Sequence, residues 1–256
     1  MVGMQLSRTW EKFQILQSRL NKKDLDQQSQ HWENSFSSKP EMFGLDPSES
    51  ARHAKEIFEN QKVNIFFKRK KIDILELGAG LGRDTTYLAA NSNLIQVTAL
   101  DYSSEAIKNI NKKKIENYSD PIMADGRSAA DKITTKVWDV RNGIPYKDNS
   151  FDGCYSHMLY CMALTTSEII KLNKEVHRIL KPGGINIFTV RHTGDGDYKK
   201  GKHIGEDLYE NDGFIVHFFD KEKINQISKG FKIEDIFELH EGSFPRKLFV
   251  VTLRKK

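Results

Sequence analysis

An apolar run that empties into three glycines constrains this chain more than any other feature. Residues 72–84 read Ile-Asp-Ile-Leu-Glu-Leu-Gly-Ala-Gly-Leu-Gly-Arg-Asp. Ile72, Ile74, Leu75 and Leu77 suit a buried strand, a helical pattern follows, and the glycines between them permit a tight turn and close backbone approach to a ligand. Strand, glycine turn and helix in that order open a βαβ unit, and such sheets bind ligands beyond the carboxyl ends of their strands. The spacing Gly78-x-Gly80-x-Gly82 departs from the Gly-x-Gly-x-x-Gly that seats a pyrophosphate on a helix N-terminus. Glu76, two residues ahead of the first glycine, would repel a pyrophosphate and attract a cation. The plain alternative is an ordinary strand-to-helix turn.

From residue 72 onward, strand and helix patterns alternate. Strands are expected at 72–77, 95–100, 136–140, 151–156 and 185–190, and helices at 85–90, 104–114 and 167–180. That alternation implies right-handed crossovers and a parallel sheet covered on both faces. The end of the chain breaks it. Segments 231–239 and 247–253 read as strands joined by too few residues for a parallel crossover, so they should form an antiparallel hairpin at one edge. A helix before them runs from its cap Asp220 to its stop Gly230. The fold class is α/β: a doubly wound, mostly parallel sheet with an antiparallel C-terminal hairpin.

Residues 1–45 read as a helical cover on the domain 46–256. Trp10, Phe13, Leu16 and Leu20 have helical spacing, and Trp32, Phe36 and Phe43 supply apolar anchors. Asp46 is placed to cap a helix with Pro47 in its first position and Ala51, Ala54, Ile57 and Phe58 turned inward. With 256 residues, 38% of them hydrophobic, the chain can bury a substantial core. It has no apolar run long enough to span a membrane, and its start lacks the pattern of a signal peptide. Two cysteines, Cys154 and Cys161, exclude a disulfide framework and fit a reducing cytoplasm. The excess behind the net charge of +5 comes from basic clusters at 68–71, at 112–114 and at Lys199, Lys200 and Lys202. These read first as solvated helix ends and loops, and second as contacts to phosphates.

Two more acids stand at strand ends. Asp101 follows Gly82 by 19 positions, close to where an acid accepts ribose hydroxyls in nucleotide folds. Tyr102 beside it can stack on a base. The competing role for Asp101 is to cap the helix near Ser104, which Ser103 can do instead. Asp139 is placed to accept from an exocyclic amine and the Val140 N–H to meet a ring nitrogen, with a surface turn as the alternative.

Taken together, the chain resembles the class I S-adenosylmethionine-dependent methyltransferases. The likeness rests on Glu76-Leu-Gly-Ala-Gly-Leu-Gly82, Asp101, Asp139, Asp148-Asn-Ser-Phe-Asp152 and Arg178-Ile-Leu-Lys-Pro-Gly-Gly184, in that order over residues 46–254. The resemblance implies a seven-stranded Rossmann-like sheet with its last strand antiparallel. It implies S-adenosylmethionine as cofactor and S-adenosylhomocysteine as product. Gly78 and Gly80 would approach the methionine part, Asp101 would hold the ribose, Asp139 the adenine amine, and Ser156 would lie near the methionine amine; Glu76, Arg83, Tyr102, as a stacking partner of the adenine, and Val140 complete the expected cofactor side. Gly82-Arg83-Asp84-Thr85 and the ending 214–256 look most like small-molecule enzymes of the tellurite-resistance and thiopurine kind. The polar link 118–135 departs from the family.

Methyl transfer is a displacement at an activated carbon, so orientation and exclusion of water dominate, and a base is needed only for a protonated nucleophile. After the fourth strand stands Ser156-His-Met-Leu159, not the Asn/Asp-Pro-Pro-aromatic of nucleobase-amine methylation nor a Pro-Cys. The expected acceptor is a small molecule; RNA, protein, or a non-catalytic nucleotide-binding role remain alternatives. His157, Tyr160, Arg191, His192 and His217 are the residues that could face it, each with ordinary structural pairing as the competing role. Segment 193–213, with its glycines and charges, reads as a mobile lid or specificity loop. Neither a metal site nor a membrane partner is expected.

Overall fold

The computed structural model describes residues 22–39, 42–44, 46–60, 71–116, 128–242 and 246–256. The expected helix around Trp10 to Leu20, and the basic residues 68–70, lie outside the described residues. The strands are β1 (Ile72–Leu77), β2 (Ile95–Asp101), β3 (Ile133–Val137), β4 (Phe151–Ser156), β5 (Leu180–His192), β6 (Lys202–Gly205), β7 (Leu208–Asn211), β8 (Phe214–Phe219), β9 (Phe231–Glu241) and β10 (Arg246–Lys255). The helices are α1 (Lys22–Ser38), α2 (Glu49–Asn60), α3 (Arg83–Ala90), α4 (Ser104–Glu116), α5 (Thr166–Ile179) and α6 (Lys221–Ile227).

The main sheet runs β3-β2-β1-β4-β5-β10-β9. Only β10 opposes the others, antiparallel to β5 over Leu248–Arg254 and to β9. The expected seven strands and terminal hairpin are therefore present. The chain leaves β1 toward β2 and β3 on one side and returns to β4 and β5 on the other, which puts the topological switch point between β1 and β4. That is where such sheets open a crevice for ligands.

Period-two alternation divides the core between the two faces. Cys154, Phe188 and Val251 point into the core under α5 and α6, while their neighbours Tyr155, Ile187 and Val250 join the core under α2, α3 and α4. Gly153 marks where α2 presses hardest on the sheet: a Cβ there would lie 2.5 Å from the Phe58 ring and 2.7 Å from Ile74. Helix α5 starts on a capping box, with Thr165 accepting from the N–H of Glu168 and the Glu168 carboxylate accepting from Thr165.

Three expectations are corrected. Strand β3 begins at Ile133, not 136, because Ile133-Thr-Thr is a β-branched run that pairs with Val97 to Ala99. Of the link 118–135, residues 117–127 lie outside the described residues and the remainder forms a short 3₁₀ turn leading into β3. The cap of α2 is Ser48, whose hydroxyl accepts from the N–H of Ala51, and not Asp46. Segment 193–213 is no open lid. It builds β6 and β7, an antiparallel hairpin that continues onto β8 around its own small core of Ile204, Leu208 and Ile215. Strand β8 pairs in parallel with the last two residues of β5, which carries the meander past the carboxyl end of the sheet.

Candidate active site

The glycine loop leaves β1 with Gly78, Gly80 and Gly82 all in left-handed conformation, at φ of 68°, 51° and 76°. Its backbone is tied down: the N–H groups of Gly78 and Ala79 donate to the Leu100 carbonyl, and that of Gly80 donates to Asp101 at 2.8 Å. Gly82 has the strictest steric role, since a Cβ there would lie 2.6 Å from Ile110 of α4. Gly78 and Gly80 face other neighbours. Leu159, just beyond β4, stands over the first, and the Phe36 ring of α1 over the second.

Three acids are buried around this loop. Glu76 is 2% exposed, and among the described residues it accepts one side-chain hydrogen bond, from the Thr85 hydroxyl at 2.5 Å. Burial, with the negative charge of Asp84 beside it, pushes its carboxyl up to about 8. Asp101, also buried, accepts from the N–H groups of Ser103 at 2.9 Å and Gly80. Burial raises it to about 6 against those two donors. Asp84 goes the other way. Burial raises it, but His157, Arg83 and two donors on Ser48 together hold it below the ordinary range. At the end of β4, the fully buried Ser156 hydroxyl has no hydrogen-bond partner among the described residues. Buried polar groups are rarely left unmet. Glu76 and Ser156 thus stand at the ends of the neighbouring strands β1 and β4, each with hydrogen-bonding capacity unmet among the described residues.

The ribose and adenine candidates also converge. Tyr102 lies among the charges of Asp101, Arg141, Asp139 and Glu33. Asp139 accepts from the Arg141 N–H and pairs with its guanidinium at 2.8 Å, so it also performs the turn role weighed for it. Val140 is buried beside it. Ser103 does cap α4, donating nothing to Asp101 from its side chain and accepting from Ala106 N–H at 3.0 Å.

Helix α1 closes over this end. Gln28 bridges to the β7–β8 turn, donating to the Gly213 carbonyl and accepting from Ile215 N–H. Glu33 accepts from the Ser104 hydroxyl at 2.6 Å and from Glu105 N–H. Trp32 packs against Phe36, Phe43 and Phe214, with ring centroids 5.4, 6.2 and 5.0 Å away.

The acceptor-side candidates are paired with other groups. His157 is 15% exposed; its Nδ1 lies 2.9 Å from the Ser50 hydroxyl and 3.2 Å from that of Thr189, and its Nε2 3.1 Å from Glu241. Ser50 continues through Tyr155 and Ser48 to Asp84, a relay that sequence reasoning missed because its members lie on α2, α3, β4, β5 and β9. Arg83 joins the same cluster: it donates to Asp84 and to the Phe43 carbonyl, and lies 3.7 Å from Glu241. Tyr160 is wholly buried, stacked on Phe188 and donating to Asn173. Arg191 is bound to Asp195 and Asp197, and Asp195 also accepts from Lys247 N–H, which staples β5 to β10. His192 packs its ring 4.2 Å from Phe249 and lies 3.8 Å from Glu238. His217 is enclosed, with Nδ1 2.8 Å from the Leu164 carbonyl and Nε2 2.8 Å from Lys223. Nδ1 must donate and Nε2 accept, so the ring is neutral. Burial and the Lys223 charge push its pKa down to about 3.

Among the described residues, no helix is long and apolar enough to cross a membrane, and no group of three or more His, Cys, Asp or Glu is placed to hold a metal.

Residues 75–188 match the family model described as a methyltransferase domain. The chain is 26% identical over 158 residues to 24-methylenesterol C-methyltransferase 2 of Arabidopsis thaliana, covering 61% of this chain and 38% of the relative. It thus spans about two fifths of the length of the curated relatives it matches. Among solved structures, it is similar to the 1,6-didemethyltoxoflavin-N1-methyltransferase of Burkholderia thailandensis, crystallised with 1,6-didemethyltoxoflavin and S-adenosylhomocysteine. That match has a TM-score of 0.61 and 17% identity, over 96% of this chain and 89% of that one. It is also similar to an S-adenosylmethionine-dependent methyltransferase of Methanosarcina mazei, with a TM-score of 0.59 and 22% identity, over 74% and 94% of the two chains. At these identities, the structural likeness establishes the fold.

Proposed function

We propose that the class I S-adenosylmethionine-dependent methyltransferase domain carried by this chain methylates a small-molecule nucleophile by in-line displacement. When bound, S-adenosylmethionine supplies a methyl carbon activated by its sulfonium. Glu76 and Ser156 receive the ammonium end, Asp101 accepts from the ribose hydroxyls, Tyr102 stacks on the adenine, and Asp139 with the Val140 N–H reads its edge. Gly78 and Gly80 form the floor. Arg83 serves as a clamp, because its guanidinium is already divided among Asp84, the Phe43 carbonyl and Glu241. Residues 1–45 act as the cover that excludes water, and His157, the partly exposed candidate next to Ser156, holds the acceptor side. Both cysteines are buried and unpaired, which supports a reducing, cytoplasmic setting.

The observation that carries the small-molecule reading is the aromatic cover. Phe36 comes within 3.7 Å of the position a Cβ on Gly80 would take, and Trp32 ties it to Phe43 and Phe214, so an acceptor must fit beneath α1. The small-molecule acceptors named for the relatives favour the same class. The test is release of S-adenosylhomocysteine by the purified protein with a pooled extract of small metabolites and thiols. Turnover is expected. Methylation of RNA or protein, with none in the pool, overturns the reading.

A further inference from the structure

Among the described residues, Asp84 hydrogen-bonds a guanidinium and Asp101 accepts from two backbone N–H groups, while Glu76 accepts from the Thr85 hydroxyl alone. Arg83 acts on Glu76 and Asp84, and its hydrogen bonds go to Asp84 and the Phe43 carbonyl. The groups that face Glu76 are Asp84, Thr85 and Arg83 from α3, Asp101 from β2, and Cys154 and Tyr155 from β4. Apart from Arg83, all of these are acidic or neutral. A carboxylate so placed has two ways to avoid an uncompensated buried charge: keep its proton or take a cation. The Thr85 hydroxyl, 2.5 Å away in the first turn of α3, is its one donor among the described residues and favours the ionised form.

We infer that this site exchanges a proton for a cation: Glu76 releases its carboxyl proton to solvent as the cationic cofactor settles, and Thr85 is the positioning residue that sets the pH at which it does so. The Glu76 O–H bond breaks, the proton goes to buffer, and the carboxylate faces the ammonium end of the ligand. This rests on the cofactor reading above, and it adds a proton stoichiometry and a role for Thr85 that the reading alone does not require. The high protonation range of the buried Glu76 agrees with it.

The experiment is titration calorimetry of the full chain with S-adenosylmethionine and S-adenosylhomocysteine, in buffers of different ionisation enthalpy from pH 6.5 to 9. Near pH 7, wild type should release about one proton per ligand bound, declining toward pH 9. The ligand amine titrates near pH 8 and takes up protons there, so Glu76→Gln supplies the subtraction, and its release at pH 7 should be near zero. Thr85→Val should weaken binding roughly ten-fold at pH 7 and less at pH 9, carrying the release to higher pH, and Thr85→Ser should restore both. Binding heat that is independent of buffer in wild type, or equal proton release from Glu76→Gln, overturns the exchange while leaving the cofactor reading intact. No saturable heat with either ligand at any pH overturns both. If Thr85→Val does not fold, the wild-type and Glu76→Gln proton counts still decide.

Discussion

The two halves of the crevice treat their polar groups in opposite ways. Among the described residues at the ends of β1, β2 and β4, Glu76 accepts from the Thr85 hydroxyl alone, Ser156 is unpartnered, and Asp101 rests on backbone donors. At the exits of β4 and β5 and in the β6–β8 meander, the ionic candidates are all closed by internal partners: Arg191 by Asp195 and Asp197, His217 by Leu164 and Lys223, His157 by Ser50 and Glu241. The first half leaves polar capacity unmet among the described residues, as the proposed cofactor site requires. The second spends its charges on holding shape, which suits an acceptor recognised by fit and apolar contact. Substitutions should therefore separate: ionic changes in the second half cost stability, and those in the first cost binding.

The largest effect expected is on stability. Arg191 and Asp195 form a buried pair at the β5 exit, so Arg191→Ala strands a buried carboxylate and should destabilise by ~3–5 kcal/mol, read as a fall in the denaturation midpoint. Arg191→Met with Asp195→Asn should recover part of that loss, because no charge is then left unpaired. If Arg191→Ala keeps its stability but loses turnover, Arg191 faces the acceptor and the comparison fails.

Glu76 gives the reverse sign. Its carboxyl titrates near 4.5 when unfolded and near 8 when folded, so between those values the folded chain holds more protons. Stability must then fall as pH climbs through that window. Glu76→Gln should flatten this decline and be more stable than wild type at pH 8–9, by an amount on the order of a few kcal/mol, while binding the cofactor less tightly. Thermal midpoints against pH decide it; a variant less stable than wild type at pH 9 would place Glu76 among the structural pairs.

Asp101→Asn should act on binding with little effect on the fold. It removes a charged acceptor, so cofactor affinity should drop about ten-fold or somewhat more. In wild type, affinity should also weaken as pH falls through about 6, where Asp101 takes a proton. Unchanged affinity in the variant would remove Asp101 from the ribose side.

What the sequence revealed follows the same division. The strand, glycine turn and helix, the two core faces and the terminal hairpin are encoded in local periodicity, and Glu76, Asp101 and Ser156 stand at strand ends fixed by that periodicity. The closed network is not local. Ser50 meets His157 across 107 positions, and His157 meets Glu241 across 84. Residue type marked those side chains as chemically able, and only the fold shows them paired. The meander was missed for another reason: its glycines and charges match a loop in composition, yet alternate residues of β6, β7 and β8 close a small core of their own.

The smallest expected effect is the response of acceptor recognition to salt, and it bears most directly on the comparison. Lys199, Lys200 and Lys202 lie in or beside the meander, where they would meet a polyanion approaching the β5 exit. If the acceptor is recognised beneath α1 by fit, these exposed lysines do not touch it, and screening leaves its KM within about two-fold between 50 and 200 mM salt. A nucleic-acid acceptor gripped at 6–10 phosphates would lose roughly 10³–10⁵ in affinity over that range through counterion release. Steady-state kinetics at four or five salt concentrations separate the cases without structural perturbation. A steep slope would mean that the second half of the crevice reads charge from outside the fold, and the contrast between the halves would then be one of location, not of chemistry.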